Sequence, residues 1–275
     1  MLPRLERMTA SPLPRSRRVF GSVPAAAVKA ELLRVQENAR PRSRGARFFG
    51  RSPLTTDSRP WYLGALGELD VARRLASLGT DWFVLHSVPV GTRGSDIDHV
   101  LIGPAGVFTL NTKHHAGGRV WVGSQRLMVN GQKTDHLRNA RYEASRAERL
   151  LRTALGEEVA VRAVVVVVGA GSVTYRDRPA DVSVVTAPQL LRWLRKQNPV
   201  LEPAEVSRIS EAASTDATWS AEPGPVADES AFAALQQDVE AARRVRMTWG
   251  ATVVVGTAAL GAPVALDLVS RLFGG

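Results

Sequence analysis

Apolar and polar positions alternate with two different periods along this chain, and the change from one to the other outlines its elements. Residues 61–78 (WYLGALGELDVARRLASL) repeat apolar positions at helical spacing, and Gly79 follows as a stop signal. Placed on a helical wheel, Trp61, Ala65, Leu69, Ala72 and Leu75 share an apolar arc, with Asp70, Arg73 and Arg74 opposite. Three apolar runs come next, at 82–90, 96–103 and 106–112, separated by GTRGS and by a Gly-Pro-Ala-Gly turn; they predict three consecutive strands. A small hairpin is expected over about 118–130. Residues 135–155 predict a long helix with Asp135 as its cap. The valine run at 161–169 has the pattern of a strand covered on both faces, and 181–186 is another strand. Helices are expected at 187–197 and 203–214. The order α-β-β-β-α-β implies an α/β domain with a mixed central sheet.

The flanks differ from this core. Residues 1–23 are rich in Pro, Arg and Ser and read as disordered; 24–40 predict one helix, and 41–59 read as linker. After a linker at 220–229 and a helix at 230–246, residues 247–266 carry no charge. About 20 uncharged, mostly apolar residues suffice to cross a bilayer, so a single C-terminal transmembrane helix is expected over 247–270. Trp249 would sit at the interface, and Arg243, Arg244 and Arg246 would stay on the cytoplasmic side. The alternative is a Gly/Ala-rich helix packed on the domain. The resulting division is a basic arm at 1–59, a core domain at 60–219, a linker and helix at 220–246, and a membrane span at 247–270.

Charge sharpens the division. Of 36 Lys and Arg, 13 fall within residues 1–60, against 4 of the 26 Asp and Glu, so the net charge of +10 belongs almost wholly to the arm. Such an arm suits an anionic partner, either nucleic acid or lipid, and equally suits a solvated tail. The chain has no cysteine, which excludes disulfides and thiolate chemistry and fits a reducing compartment. No secretory signal is visible, so the expected location is the cytoplasm, at the membrane face through the C-terminal span.

Candidate chemistry concentrates at Asp98 and Asn111-Thr112-Lys113. Residues two apart on a strand share a face, so Asn111 and Lys113 project together, and the hairpin can bring Asp98 beside them. An acid, an amide oxygen and a lysine on adjacent strands could hold a divalent metal and steady a phosphate. Glu68 falls inside the apolar arc of its helix, where a carboxylate is costly unless paired or metal-bound. Asp98 is the best direct ligand; Glu68 could reach the metal or one of its waters; Lys113 would orient water and stabilise developing charge. His99, His114 and His115 do not match zinc spacing and read as ordinary polar residues. The basic positions His136, Arg138, Arg141, Arg146 and Arg149 fit either a phosphate-tracking helix or a solvated face on which Glu143 and Glu148 pair locally. Gly169-Ala170-Gly171 reads as a turn.

Three segments in order, GELDVARRL, DIDHVLIGPAGVFTLNTKHHAGGRVWV and NGQKTDHLRNARYEA, resemble the nuclease-related domain family known as NERD, over roughly Trp61 to Trp193. The resemblance implies a restriction-endonuclease-like αβββαβ core of the PD-(D/E)xK kind. It also implies Mg²⁺ or Mn²⁺ as cofactor and DNA as substrate, with RNA left open. The catalytic set carried over is Glu68, Asp98, Asn111 and Lys113. The metal set is Asp98, Glu68, Asn111 and the main-chain carbonyl of Thr112. Asn111 departs from the pattern, since the group normally has Glu or Asp two residues before the lysine. A neutral amide there should weaken cation binding. The alternative function is a catalytically inactive nucleic-acid-binding protein or a membrane-associated scaffold.

Overall fold

The computed structural model describes residues 23–90, 96–219 and 226–273, with side chains through 255 and at 257. Residues 1–22 of the expected 1–59 arm, the GTRGS segment and most of the 220–229 linker lie outside the described residues.

The main sheet has five strands in the order β1-β2-β3-β7-β9. β1 (Phe83–Pro89), β2 (Asp96–Gly103) and β3 (Gly106–His114) form an antiparallel meander, turned at Gly106 with φ +115°. β7 (Val161–Val168) then lies parallel to β3, and β9 (Val182–Thr186) parallel to β7, so the sheet is mixed as expected. The crossover from β3 to β7 is made by α4 (His136–Leu155). A second sheet, β6-β5-β4-β8, joins β4 (Arg119–Val122), β5 (Leu127–Val129) and β6 (Gln132–Thr134) to β8 (Ser172–Tyr175). The expected hairpin supplies two of these strands. β8 arrives from beyond β7 and pairs parallel to β4, through a turn at Gly169 with φ +69°.

Both faces of the main sheet are covered, which is why the Val164–Val167 run is buried throughout. On one face, α3 (Ser58–Leu75) and α5 (Leu190–Arg195) pack Val71, Leu75, Leu190 and Leu194 against Leu101, Phe108, Leu110, Val164 and Val166. On the other, α4, α6 (Pro203–Ala213) and the short α7 (Asp216–Trp219) pack Ala147, Leu151, Ile209 and Trp219 against Val100, Ile102 and Val107. The apolar arc of α3 is turned slightly from its expected position: Tyr62 is buried and Trp61 is 40% exposed. Asp135 stands at the start of α4 without capping it, because its carboxylate pairs with Arg138 at 3.1 Å.

Before the core, α1 (Ala26–Glu37) lies where a helix was expected, and a short helix α2 (Arg44–Phe48) occupies part of the expected linker. The C-terminus departs most from expectation. α8 (Glu229–Phe273) is one continuous helix of 45 residues. Among the described residues no helix is long and apolar enough to cross a membrane, which overturns the transmembrane helix expected over 247–270. The first half of α8 is committed to protein contacts. Phe232 packs with Tyr62 and Leu32, Glu229 pairs with Lys29, and Trp249, expected at a lipid interface, donates its indole N–H to the Phe48 carbonyl at 2.8 Å.

Candidate active site

The β2–β3 ladder runs from Gly103↔Gly106 to His99↔Leu110 and stops there. Beyond that pair the strands fork. The Asp98 carboxylate enters the fork and accepts the main-chain N–H of Thr112 at 2.5 Å. Across from Asp98 on the other side, Ser87 has φ +48° and leaves the β1–β2 ladder, with its hydroxyl accepting the Ala26 N–H at 2.9 Å. Strained backbone of this kind persists where the surroundings hold it. Here the N-terminus of α1 does so.

Strand periodicity places Asp96 and Asp98 on one face of β2, and Asn111 and Lys113 on the matching face of β3. That face looks toward α4, whose buried stripe is Leu137, Ala140, Ala144, Ala147 and Leu151. Glu143 falls within this stripe and accepts a short hydrogen bond from the Asn111 side-chain N–H. Glu68 comes from α3, on the opposite face. Gly67 permits its approach: a Cβ there would lie 3.2 Å from the His114 Cβ and 3.4 Å from the Thr112 Cγ2, so α3 sits nearly on the backbone of β3.

The electrostatics show one interacting group. Burial, then the charges of Asp98 and Asp96, push Glu68 well above the usual carboxylate range. Asp96 is pushed up to about 7 by burial and by Asp98. Glu143 is pushed up to about 8 by burial and by Asp98, against the pull of Lys113 and of the Asn111 amide. Asp98 is raised by burial, with Lys113 and the Thr112 N–H opposing. Four acids thus feel one another, with Lys113 as the nearby cation easing all of them.

The structure brings Glu68, Asp98, Asn111, Thr112 and Lys113 into one region, together with two residues that the sequence reading did not assign to it, Asp96 and Glu143. Asp96 carries a signal in its two-residue spacing from Asp98. Glu143 lies on the apolar stripe of α4, the same kind of misplacement that marks Glu68. The expectation that Glu143 pairs locally on a solvated face is corrected by its bond to Asn111. Nor is the α4 arginine set a free basic surface: Arg141 pairs with Asp181, and Arg146 donates to the Val90 carbonyl. Among the histidines, His99 is fully buried with its Nδ1 2.8 Å from that of His86, and His115 meets His136 at 3.2 Å between Nε2 atoms.

The donor chemistry suits a hard divalent cation. Among the described residues, Glu68 Oε2, Asp96 Oδ2, Asn111 Oδ1 and Glu143 Oε2 are buried with no hydrogen-bond partner, and all are oxygens. Buried oxygens of this kind call for a cation or a proton. Among the described residues no group of three or more His, Cys, Asp or Glu side chains is gathered so that it could hold a metal ion. The acids alone are therefore no finished cage. An amide oxygen, a main-chain carbonyl and water would have to complete the shell, as Mg²⁺ tolerates.

The site is thus a group of buried acids and a lysine at a forked strand pair, in a sheet covered on both faces. Residues 63–168 match the family model described as Nuclease-related domain, NERD. The matched segment contains every site residue named above. Comparisons with curated proteins and with solved structures give no match.

Proposed function

We propose that this protein is a metal-dependent nuclease that hydrolyses phosphodiester bonds of DNA. The observation that carries the reading is the Asp98 carboxylate seated in the β2–β3 fork, on one face with Asn111 and Lys113 and electrostatically coupled to Glu68. Asp98 and Glu68, with the Asn111 amide oxygen and the Thr112 carbonyl, would hold Mg²⁺ or Mn²⁺. When bound, such an ion polarises a phosphoryl oxygen and lowers the pKa of a coordinated water. Lys113 lies beside the acids, where it would orient the attacking water and offset charge developing on the phosphate. The apolar walls of β2, β3 and α4 lower the local dielectric, so each of these charges acts more strongly than in water.

The test incubates the full chain with single- and double-stranded DNA, and with RNA, in Mg²⁺ or Mn²⁺, beside Asp98→Ala and Lys113→Ala. Metal-dependent cleavage abolished in both variants supports the reading. Salt-sensitive DNA binding without cleavage by the wild type would leave a nucleic-acid-binding protein instead.

A further inference from the structure

The bond from Asn111 to Glu143 answers a question raised by the chain itself: where the negative charge missing at position 111 has gone. The Asn111 side chain is 3% exposed and its two ends do different things. Its Nδ2 donates to Glu143 Oε1, while its Oδ1 is buried with no partner among the described residues. Among the same residues Glu143 is held by that bond, and its second oxygen, Oε2, is likewise buried with no partner. Asn111 thus acts as a clamp on a carboxylate brought in from α4. An Asp or Glu at 111 would face Glu143 as a like charge at hydrogen-bond distance, which is strongly unfavourable in a buried site. The amide and the acid are complementary as they stand, whereas two acids would not be.

The sequence supports the same placement. His136, Ala140, Glu143 and Ala147 recur at four- and three-residue steps, so Glu143 faces the sheet with the small residues that let α4 lie close. Lys113, two residues after Asn111, eases the charge of Glu143, as it does that of Asp98. Glu143 and Asp98 therefore belong to one field.

We propose that Glu143 is a catalytic-site acid that supplies, from α4, the cation-binding carboxylate position 111 lacks, and that Asn111 is the positioning residue that fixes it. This rests on the metal-dependent nuclease reading above.

The test measures Mn²⁺ binding to the full chain by titration calorimetry without nucleic acid, then DNA cleavage in Mn²⁺. The variants are Glu143→Gln, Asn111→Glu, the double Asn111→Glu/Glu143→Gln, and Asp98→Ala. Glu143→Gln keeps the shape and an oxygen for Asn111 and removes only the charge, so Mn²⁺ affinity should fall about tenfold or more. The double variant returns the charge to position 111 and should recover most of the affinity and cleavage. Asn111→Glu alone should destabilise the apo protein. Recovery in the double variant distinguishes a relocated charge from damage to packing, and remains readable should Glu143→Gln fold poorly. If Glu143→Gln binds Mn²⁺ as the wild type does while Asp98→Ala does not, Glu143 is excluded and the nuclease reading survives. If the wild type binds no Mn²⁺ at millimolar concentration, both fall.

Discussion

Raising the pH of the metal-free protein from 6.5 to 8 should destabilise it, and the site geometry sets the size. Asp96 is held up at about 7 and Glu143 at about 8, while in the unfolded chain both titrate near 4. The folded state thus keeps protons that the unfolded state has already released, so stability falls as pH rises toward the folded values. Between pH 6.5 and 8 this amounts to about 2 kcal/mol for the two groups together, most of it from Glu143. Glu68, raised in the same sense, adds to it. The window starts at 6.5 for a reason. His86 and His136 are lowered to about 4 and His99 well below its usual value, all by burial. Their neutral folded forms make stability rise with pH as the unfolded histidines deprotonate; half of that titration remains above 6.5, where the three return about 1 kcal/mol, and below it they offset the carboxylates more strongly. The net fall of about 1 kcal/mol corresponds, for a chain of this size, to a fall in Tm of about 2–4 °C. Scanning calorimetry in EDTA at pH 6.5, 7, 7.5 and 8 would read it. Mn²⁺ at 100 times its Kd should restore about 2.7 kcal/mol at pH 8, where the acids are free to bind it. Glu143→Gln should remove more than half of the slope. A Tm that is flat or rising across this range in EDTA would refute the claim that these acids share one buried field.

Gly67→Val should push α3 off Thr112 and His114, costing about 1–3 kcal/mol in urea denaturation and a larger share of activity, because it displaces Glu68. Phe108, fully buried between Trp82 and Trp193, should cost about 3–5 kcal/mol when cut to Ala, read from the denaturation midpoint; a loss under 1 kcal/mol would mean the core is not packed as described. Glu229→Ala leaves the Lys29 ammonium, 3% exposed, without its partner, and since Glu229 itself is half exposed the loss should be only about 1 kcal/mol. Hydrogen exchange should then show faster opening of α1 and the start of α8, with the main sheet unchanged.

The spacing of residues along the chain determined everything that depends on local period. Apolar runs outlined β2 and β3, and the two-residue period of a strand put Asn111 and Lys113 on one side. The valine run marked a strand covered on both faces, and Glu68 stood out because a carboxylate sat where the helical repeat asks for an apolar residue. Glu143 carried an equivalent signal among Ala140, Ala144 and Ala147, yet its meaning depends on Asn111, 32 residues earlier. Only the packing of α4 over β3 brings the two into contact. The fork at Asp98 likewise comes from β2 and β3 diverging past His99 and Leu110, which no local pattern records. At the C-terminus, uncharged composition favoured a membrane span. In the folded chain that segment continues a helix from Glu229, whose Phe232 and Trp249 are engaged by Tyr62 and Phe48. Period and composition describe what one segment prefers. Which charges share a buried field, and which apolar surface is already covered, are set by contacts between segments far apart in sequence, and those exist only once the chain has folded.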